Sequence, residues 1–398
     1  MSQFSNNQKV KLIAEKVNDE MPYVKGAESY LSQEQMKGKK YGMSYKLYIA
    51  DPGRVYDGLE ANEDAITEVE YTVNLKNKGN SCAVDSWDEL VNIEDFKKEI
   101  LDKRAVKLAK EIQDDVIKNT IYRSNQVVVT TGNADFETLS DGAAKLREVA
   151  VAGDAVSFLS PTTMGKIAAG GLAKFLPDDT MKKIYAKNYL GEYAGASQVE
   201  VQGLPVIKTP SAAATFSVSL GNVVKDSSNH ELGFAPVTAG SIANGVAGAS
   251  IPFSADGLKV VDVNGKETDQ DYIVMADASG KIPELRITVE GQGYGNPNAW
   301  VKEGTSALSF SPMLSTSTKY EVGAVRIKNA LAFDTYKFNK LAGVETIGTE
   351  KADNSPVTIE CIKGSNYKTR ESLIRMDAPY AAGLPEPRQN VTVFVKKA

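Results

Sequence analysis

Histidine and cysteine are nearly absent: the 398 residues hold one of the first and two of the second. One histidine cannot build a His-rich zinc or iron site, and Cys82 and Cys361 stand too far apart in sequence for a CxxC ligand pair. A Ser-His-Asp or Cys-His nucleophile system has to use His230, which lies in the polar run Asp226-Ser-Ser-Asn-His230-Glu231 and reads as a solvated turn residue. Two cysteines give no disulfide framework and fit a reducing compartment. An excess of positive charge is missing too. Lys and Arg total 46 against 51 Asp and Glu, a net charge of -5, which is not the basic footprint of a dedicated nucleic-acid binder.

Long apolar runs are also lacking. The first residues, Met1-Ser-Gln-Phe-Ser-Asn-Asn-Gln-Lys9, hold no signal-peptide core. The uncharged stretch Phe234 to Ala255 is broken by Pro236, Gly240, Asn244, Gly245, Gly248 and Pro252, so no membrane span and no membrane partner is expected. The sequon Asn390-Val-Thr392 is therefore expected to stay unmodified. Gly291-x-Gly293-x-Gly295 is followed by Pro297 and Trp300, not by an apolar helix, so the cradle for a pyrophosphate is missing. No Walker loop is present, and no cofactor is expected. Acids are plentiful, but the pairs Asp114-Asp115 and Asp178-Asp179 read as helix residues, the second in a first turn where acids favour the dipole.

What is present is pattern. Residues 7 to 18 predict a short helix with Val10, Ile13 and Val17 on one face and Lys9, Lys11 and Lys16 off it. It either packs on its own domain or acts as an arm that docks elsewhere. Tyr41, Met43, Tyr45, Leu47 and Ile49 then alternate with polar or small residues and Tyr48, as do Val69, Tyr71, Val73 and Leu75 with polar ones. Both runs predict strands with one apolar face, each extending about 30 Å at roughly 3.3 Å per residue. Between them lies an acidic, turn-rich tip with Asp51, Arg54, Asp57, Glu60, Glu63 and Asp64. A ribbon of two strands is marginal in water, so its apolar face must lie on something. A neighbouring subunit is the simplest candidate; folding back on the chain's own domain is the competitor.

A long helix is predicted from Ile93 to Arg123, about 31 residues and roughly 46 Å. Asn92 with Asp95, or Ser86 with Glu89, supplies a start. Leu101, Ala105, Leu108, Ile112 and Val116 form a narrow apolar stripe on it. Beyond it the chain alternates: strand 126–130, a helix through Phe136, Leu139, Ala143 and Leu146, strand 155–159, then Ser160-Pro161 as cap and first residue of a helix ended by Gly170-Gly171. A further helix follows from Asp178 to about Asn188, then two strands around Gly203. Composition shifts near Ser211. From 211 to 312 helical periodicity is lost and short strands recur (216–220, 258–263, 272–275, 285–289), with Asn264-Gly265 as a type I′ hairpin signal. That predicts a separate all-β module. Strands 322–327, 357–361, 372–376 and 391–395 complete an α+β chain.

The order of these parts resembles the major capsid proteins of tailed phages. The local strings that carry the resemblance are Asp85-Ser-Trp-Asp-Glu-Leu-Val-Asn-Ile-Glu-Asp-Phe96 running into Ala105-Val-Lys-Leu-Ala-Lys110, Phe158-Leu-Ser-Pro-Thr-Thr-Met-Gly-Lys166, Val201-Gln-Gly-Leu-Pro-Val-Ile-Lys-Thr-Pro-Ser211 and Gly383-Leu-Pro-Glu-Pro-Arg388. The position of the β-rich insertion is similar to that in short-tailed phage (podovirus) coat proteins. The resemblance implies an N-terminal arm (1–36), an E-loop (37–80), a P-domain with a spine helix (81–134), an A-domain with a later hairpin near Gly203 (135–210), an inserted all-β domain (211–312) and a return through both domains (313–398). It implies a virion shell protein, not an enzyme, assembled in the bacterial cytoplasm. Its partners would be further copies of itself in hexamers and pentamers, a scaffolding protein, a portal protein and weakly held double-stranded DNA. The E-loop stripe Tyr41, Met43, Tyr45, Leu47, Ile49, Val69, Tyr71, Val73 and Leu75 would lie over a neighbour, with Asp51, Arg54, Asp57 and Glu60 fixing register. Lys9, Lys11 and Lys16 would meet scaffold or DNA, or simply solvent. The competing readings are a carboxylate-dependent hydrolase without histidine and another β-rich virion or secreted fibre protein.

Overall fold

The computed structural model describes residues 6–25, 27–28, 44–50, 68–85, 102–169, 191–211, 215–221, 223–225, 231–234, 249–277, 285–290, 297–336, 345–353, 357–366 and 371–397. Backbone contacts divide the chain into two compact units. The first gathers 1–47, 72–119 and 331–384; the second gathers 48–71, 120–330 and 385–398.

In the first unit, helix α1 (Asn6–Asp19) turns Val10, Ile13, Ala14 and Val17 inward, at helical spacing, against the strands Glu345–Lys351 and Thr358–Asn366. Of the two fates that its pattern allows, packing on its own unit is the one observed. Helix α2 (Asp102–Thr120) buries Ala105, Leu108, Ala109, Ile112, Val116 and Ile117. Its apolar face is wider than the predicted stripe, because Ala109 and Ile117 flank Leu108, Ile112 and Val116. It stops at Thr120, three residues short of Arg123. The carbonyl of Ile121 is taken by Thr392 Oγ1 at 2.7 Å, and that of Arg123 by Asn390 Nδ2 at 3.2 Å, so the backbone there leaves the helical ladder. The predicted caps at Ser86/Glu89 and Asn92/Asp95, and Leu101, lie outside the described residues.

The sheet of this unit is built on the long strand Glu371–Gly383, with Ala332–Thr335, Thr358–Asn366 and Lys76–Asp85 as its neighbours and Glu345–Lys351 beyond Thr358–Asn366. Lys76–Asp85 is a ten-residue strand without any period-two pattern. It is held by antiparallel pairing from Tyr380 to Glu371. Gly79 is needed in it: a Cβ there would stand 2.5 Å from Oδ1 of buried Asp377. That carboxylate is satisfied by Asn77 Nδ2 at 3.0 Å and by the Arg375 guanidinium at 2.7 Å.

The second unit centres on Lys319–Ile327, buried along nearly its whole length. A seven-stranded sheet runs Gln126–Val129, Asn390–Lys397, Lys319–Ile327, Ala155–Leu159, Ala196–Glu200, Glu192–Tyr193, with Val206–Lys208 also pairing Lys319–Ile327. Strands 196–200 and 206–208 flank Gly203 (φ 85°) as predicted, but they do not form the hairpin that the resemblance implies. Each pairs with a different strand. Helix α3 (Phe136–Glu148) starts at a capping box in which Asp135 accepts from Thr138 N, and its Gly142 lies against Val325. Helix α4 (Pro161–Ala169) starts at Ser160, whose Oγ accepts from Thr163 N at 3.2 Å.

Between 211 and 312 every described regular element is a strand. A six-stranded sheet runs Ile287–Val289, Ala299–Val301, Ile251–Val261, Ala307–Pro312, Phe216–Ser219, with Glu267–Ala276 beside Ile251–Val261. Phe216 stacks on Phe310 at 4.7 Å and meets Phe253 edge-on at 5.2 Å in its core. These residues fall in the same compact unit as 120–210. Ile273 N donates to Asn125 O at 2.9 Å and Val263 N to Val149 O at 3.2 Å. The hairpin at Asn264-Gly265 is not type I′, which needs positive φ at both central residues. Gly265 has φ 78°, while Asn264 is not among the residues with positive φ. Asp262 accepts from Gly265 N through its backbone carbonyl, and from Asn264 N and Lys266 N through its side chain, closing a longer turn.

Candidate assembly surface

The strands Ser44–Ala50 and Glu68–Asn74 pair as a two-stranded ribbon. Its alternation is as predicted, but its apolar face is covered unevenly. Tyr45, Leu47, Val73 and Leu75 are buried within this one chain, at 2–6% exposure. Tyr45 donates its hydroxyl to buried Asp334 Oδ2 at 3.0 Å. These four have no surface left to lay over a neighbour, which corrects the expectation for them. The competitor, a hairpin folded back on its own domain, holds at this end. Further along, Ile49, Val69 and Tyr71 are only half-buried. The Tyr71 ring lies under the Arg123 guanidinium, 4.0 Å from its centroid. On the opposite face Tyr48 is 56% exposed, one of three large apolar side chains so exposed among the described residues, with Leu12 and Val206. Tyr41, Met43, Asp51, Arg54, Asp57 and Glu60 lie outside the described residues.

The root of the ribbon is tied to α2 by charge. Lys76 Nζ reaches the two carboxylate oxygens of Asp115 at 3.0 and 2.8 Å, and Tyr380 donates to the same group at 2.7 Å. Tyr336 donates to the Lys76 carbonyl at 3.3 Å, and Tyr380 stacks on Phe333. Burial alone would push the Asp115 carboxyl up, but the hydrogen bonds from Lys76 and Tyr380 hold it below its usual value. The adjacent Asp114 goes the other way, raised by burial against the pull of Lys118. So this acid pair is split by environment, and one member is engaged structurally.

A depressed carboxyl contributes stability above its unfolded-state value of 3.8, and loses it as pH falls through the lower folded-state value. Asp115→Asn is therefore expected to be less stable than the parent at pH 7 and to show a shallower loss below pH 4. Urea midpoints from pH 7 to pH 2 check this; parallel curves for the two proteins would refute it. The effect is modest because both partners are partly solvated.

The N-terminal lysines are placed as follows. Lys11 pairs with Asp353 at 2.8 Å and Lys16 with Glu20 at 2.9 Å, both at the surface. Lys9 sits on α1 and its side chain lies outside the described residues. So do His230, Asp178-Asp179 and Gly291, Gly293 and Gly295. Among the described residues no cluster of three His, Cys, Asp or Glu could hold a metal ion, and no helix is long and apolar enough to cross a membrane. Asn390 and Thr392 are both fully buried, so the sequon has no accessible acceptor.

Two buried features carried no signal in the sequence. Glu386 and Arg388 form an ion pair at 2.8 Å beneath the surface, and Arg388 donates further to the carbonyls of Val261 and Asp262. Glu321, also buried, accepts from Thr163 Oγ1 at 2.7 Å and pairs with Lys397. Burial opposes its charge, yet Lys397, Ser160 and Thr163 hold its carboxyl below the usual range. Both acids pin the second unit's strands to their neighbours.

No family model matches this chain, and no curated protein matches it. Among solved structures it is similar to the capsid of cyanophage P-SCSP1u, at 11% identity over 90% of this chain and 85% of that one, with a TM-score of 0.46. It is likewise similar to the capsid of Ralstonia phage GP4, at 7% identity over 90% and 85% with a TM-score of 0.46. A third similar structure is from Mycobacterium phage Che8, at 12% identity over 93% and 90% with a TM-score of 0.43.

Proposed function

We propose that this chain is a structural shell subunit, the major capsid protein of a tailed phage. It builds hexamers and pentamers of an icosahedral head that encloses double-stranded DNA, with scaffolding and portal proteins as assembly partners. The observation that carries this reading is the ribbon: Ile49, Val69 and Tyr71 on its apolar face are incompletely covered, and Tyr48 stands out on the other. Two strands alone are marginal in water, and a second copy of the chain would cover what the first leaves open. Head-to-tail contacts of this kind close into rings. The podovirus affinity and the role of residues 211–312 as an inserted domain belong to this proposal. So do the tip charges Asp51, Arg54, Asp57 and Glu60 as register pairs.

The expected result is large closed shells or curved sheets by negative-stain microscopy when the full chain is co-expressed with its scaffolding protein. A chain that stays monomeric across protein concentration, salt and scaffold would overturn the reading.

A further inference from the structure

The face of α2 turned away from the core carries Lys103, Lys107, Lys110 and Lys118, at spacings of 4, 3 and 8, all exposed. At 100° per residue these fall in one stripe, about 22 Å long, opposite Ala105, Leu108, Ile112 and Val116. Two acids interrupt it. Asp114 is half-buried, and Glu111 lies on its shoulder, 3.9 Å from Lys78 Nζ. Lys107, Lys110 and Lys118 sit four residues from one or other of these acids, yet none comes within ion-pair distance of a carboxylate among the described residues. In a chain of net charge -5 this is a local reversal of sign.

We infer that the lysine stripe of α2 is a docking surface for the phosphate backbone of double-stranded nucleic acid. Its chemistry selects that partner over an acidic protein segment. None of the large apolar residues exposed among the described ones lies on α2, whereas a protein interface needs an apolar centre. Lysines are compact point charges, and contacts that end on phosphate oxygens carry no sequence information, so the contact is sequence-independent. The four lysines lie along about 22 Å of one helix face, so several phosphates of a duplex can be met at once. The inference rests on the shell reading, in which such a polymer is enclosed.

The test uses the full-length chain and a fluorescein-labelled, random-sequence duplex of 30 base pairs, titrated from 25 to 200 mM salt. The slope of log K against log salt falls by about 0.9 for each phosphate that the protein no longer neutralises. The triple variant Lys107→Gln/Lys110→Gln/Lys118→Gln is expected to lower that slope by roughly 2.7 with the urea midpoint unchanged. An unchanged slope in a folded variant overturns the inference. So does wild-type binding to poly-glutamate with no binding to the duplex, which would reassign the stripe to an acidic protein. Microscopy of the same proteins co-expressed with the scaffolding protein separates the two readings. Wild-type shells with an unaltered slope sink only the stripe; absence of shells sinks the assembly reading itself.

Discussion

Arg388→Met is expected to destabilise the second unit by about 3–5 kcal/mol, because it strips one partner from a buried pair and leaves the other charged. Glu386 is 8% exposed and Arg388 2%. The guanidinium makes two contacts to the Glu386 carboxylate, at 2.8 and 3.1 Å, and two more to the carbonyls of Val261 and Asp262. It therefore ties the short turn before Asn390–Lys397 to the hairpin after Ile251–Val261. Burial pushes the Glu386 carboxyl up, and the charge and hydrogen bonds of Arg388 more than reverse this, with a smaller contribution from Arg286. In the parent protein that depressed group adds stability above its unfolded value of 4.5, and loses it as pH falls through the folded value. In the variant the charge and side-chain bonds of Arg388 are lost, and only the backbone N–H at 388 and Arg286 still oppose burial, so the Glu386 carboxyl rises from its depressed value. The stability gap between parent and variant should be widest at pH 7 and narrow toward pH 4. Arg388→Met/Glu386→Gln should recover part of the loss at pH 7. Urea unfolding of the three proteins at both pH values measures this. A gap independent of pH would mean that packing of the arginine stem, not the orphaned carboxylate, sets the cost.

That pair shows where sequence reading stops. Glu386 and Arg388 sit two apart in a Pro-rich turn, a spacing that carries no periodic signal, and their burial depends on a hairpin more than a hundred residues earlier. Elements whose information is local were legible: Ser160-Pro161 as cap and first residue of α4, the strand 322–327 that lies within Lys319–Ile327, the stripe of α2. Lys76–Asp85 was not, since Lys-Asn-Lys-Gly-Asn-Ser-Cys-Ala-Val-Asp has neither alternation nor β-branched density. Long-range pairing with Glu371–Gly383 makes it a strand. The turn at Asn264-Gly265 failed for a smaller reason: the Asp262 side chain offers two further hydrogen bonds to a longer loop. For the ribbon, alternation told which residues share a face, and could not tell what covers that face. Coverage is a tertiary property, and it divides the ribbon into a rooted end and an open one.

The division makes a sharp expectation about two tyrosines three residues apart. Tyr45→Asp should unfold the first unit, whatever the chain assembles into. The new carboxylate would be buried at a site 5% exposed, facing Asp334, itself 1% exposed, and the tyrosine's hydrogen bond to that acid would become a like-charge contact. Such a change costs several kcal/mol and should appear as lost cooperativity in urea unfolding of the isolated subunit. Tyr48→Asp should leave the same unfolding curve within about 0.5 kcal/mol of the parent, because the side chain is 56% exposed. Its effect should fall on assembly: a charge placed in an apolar contact between copies has no partner to desolvate against, and shells seen by microscopy should be lost or much reduced. Normal shells from a folded Tyr48→Asp subunit would remove the outer face of the ribbon from the interface and leave assembly to Ile49, Val69 and Tyr71 on the other. A stable Tyr45→Asp subunit would contradict the packing of the ribbon root itself.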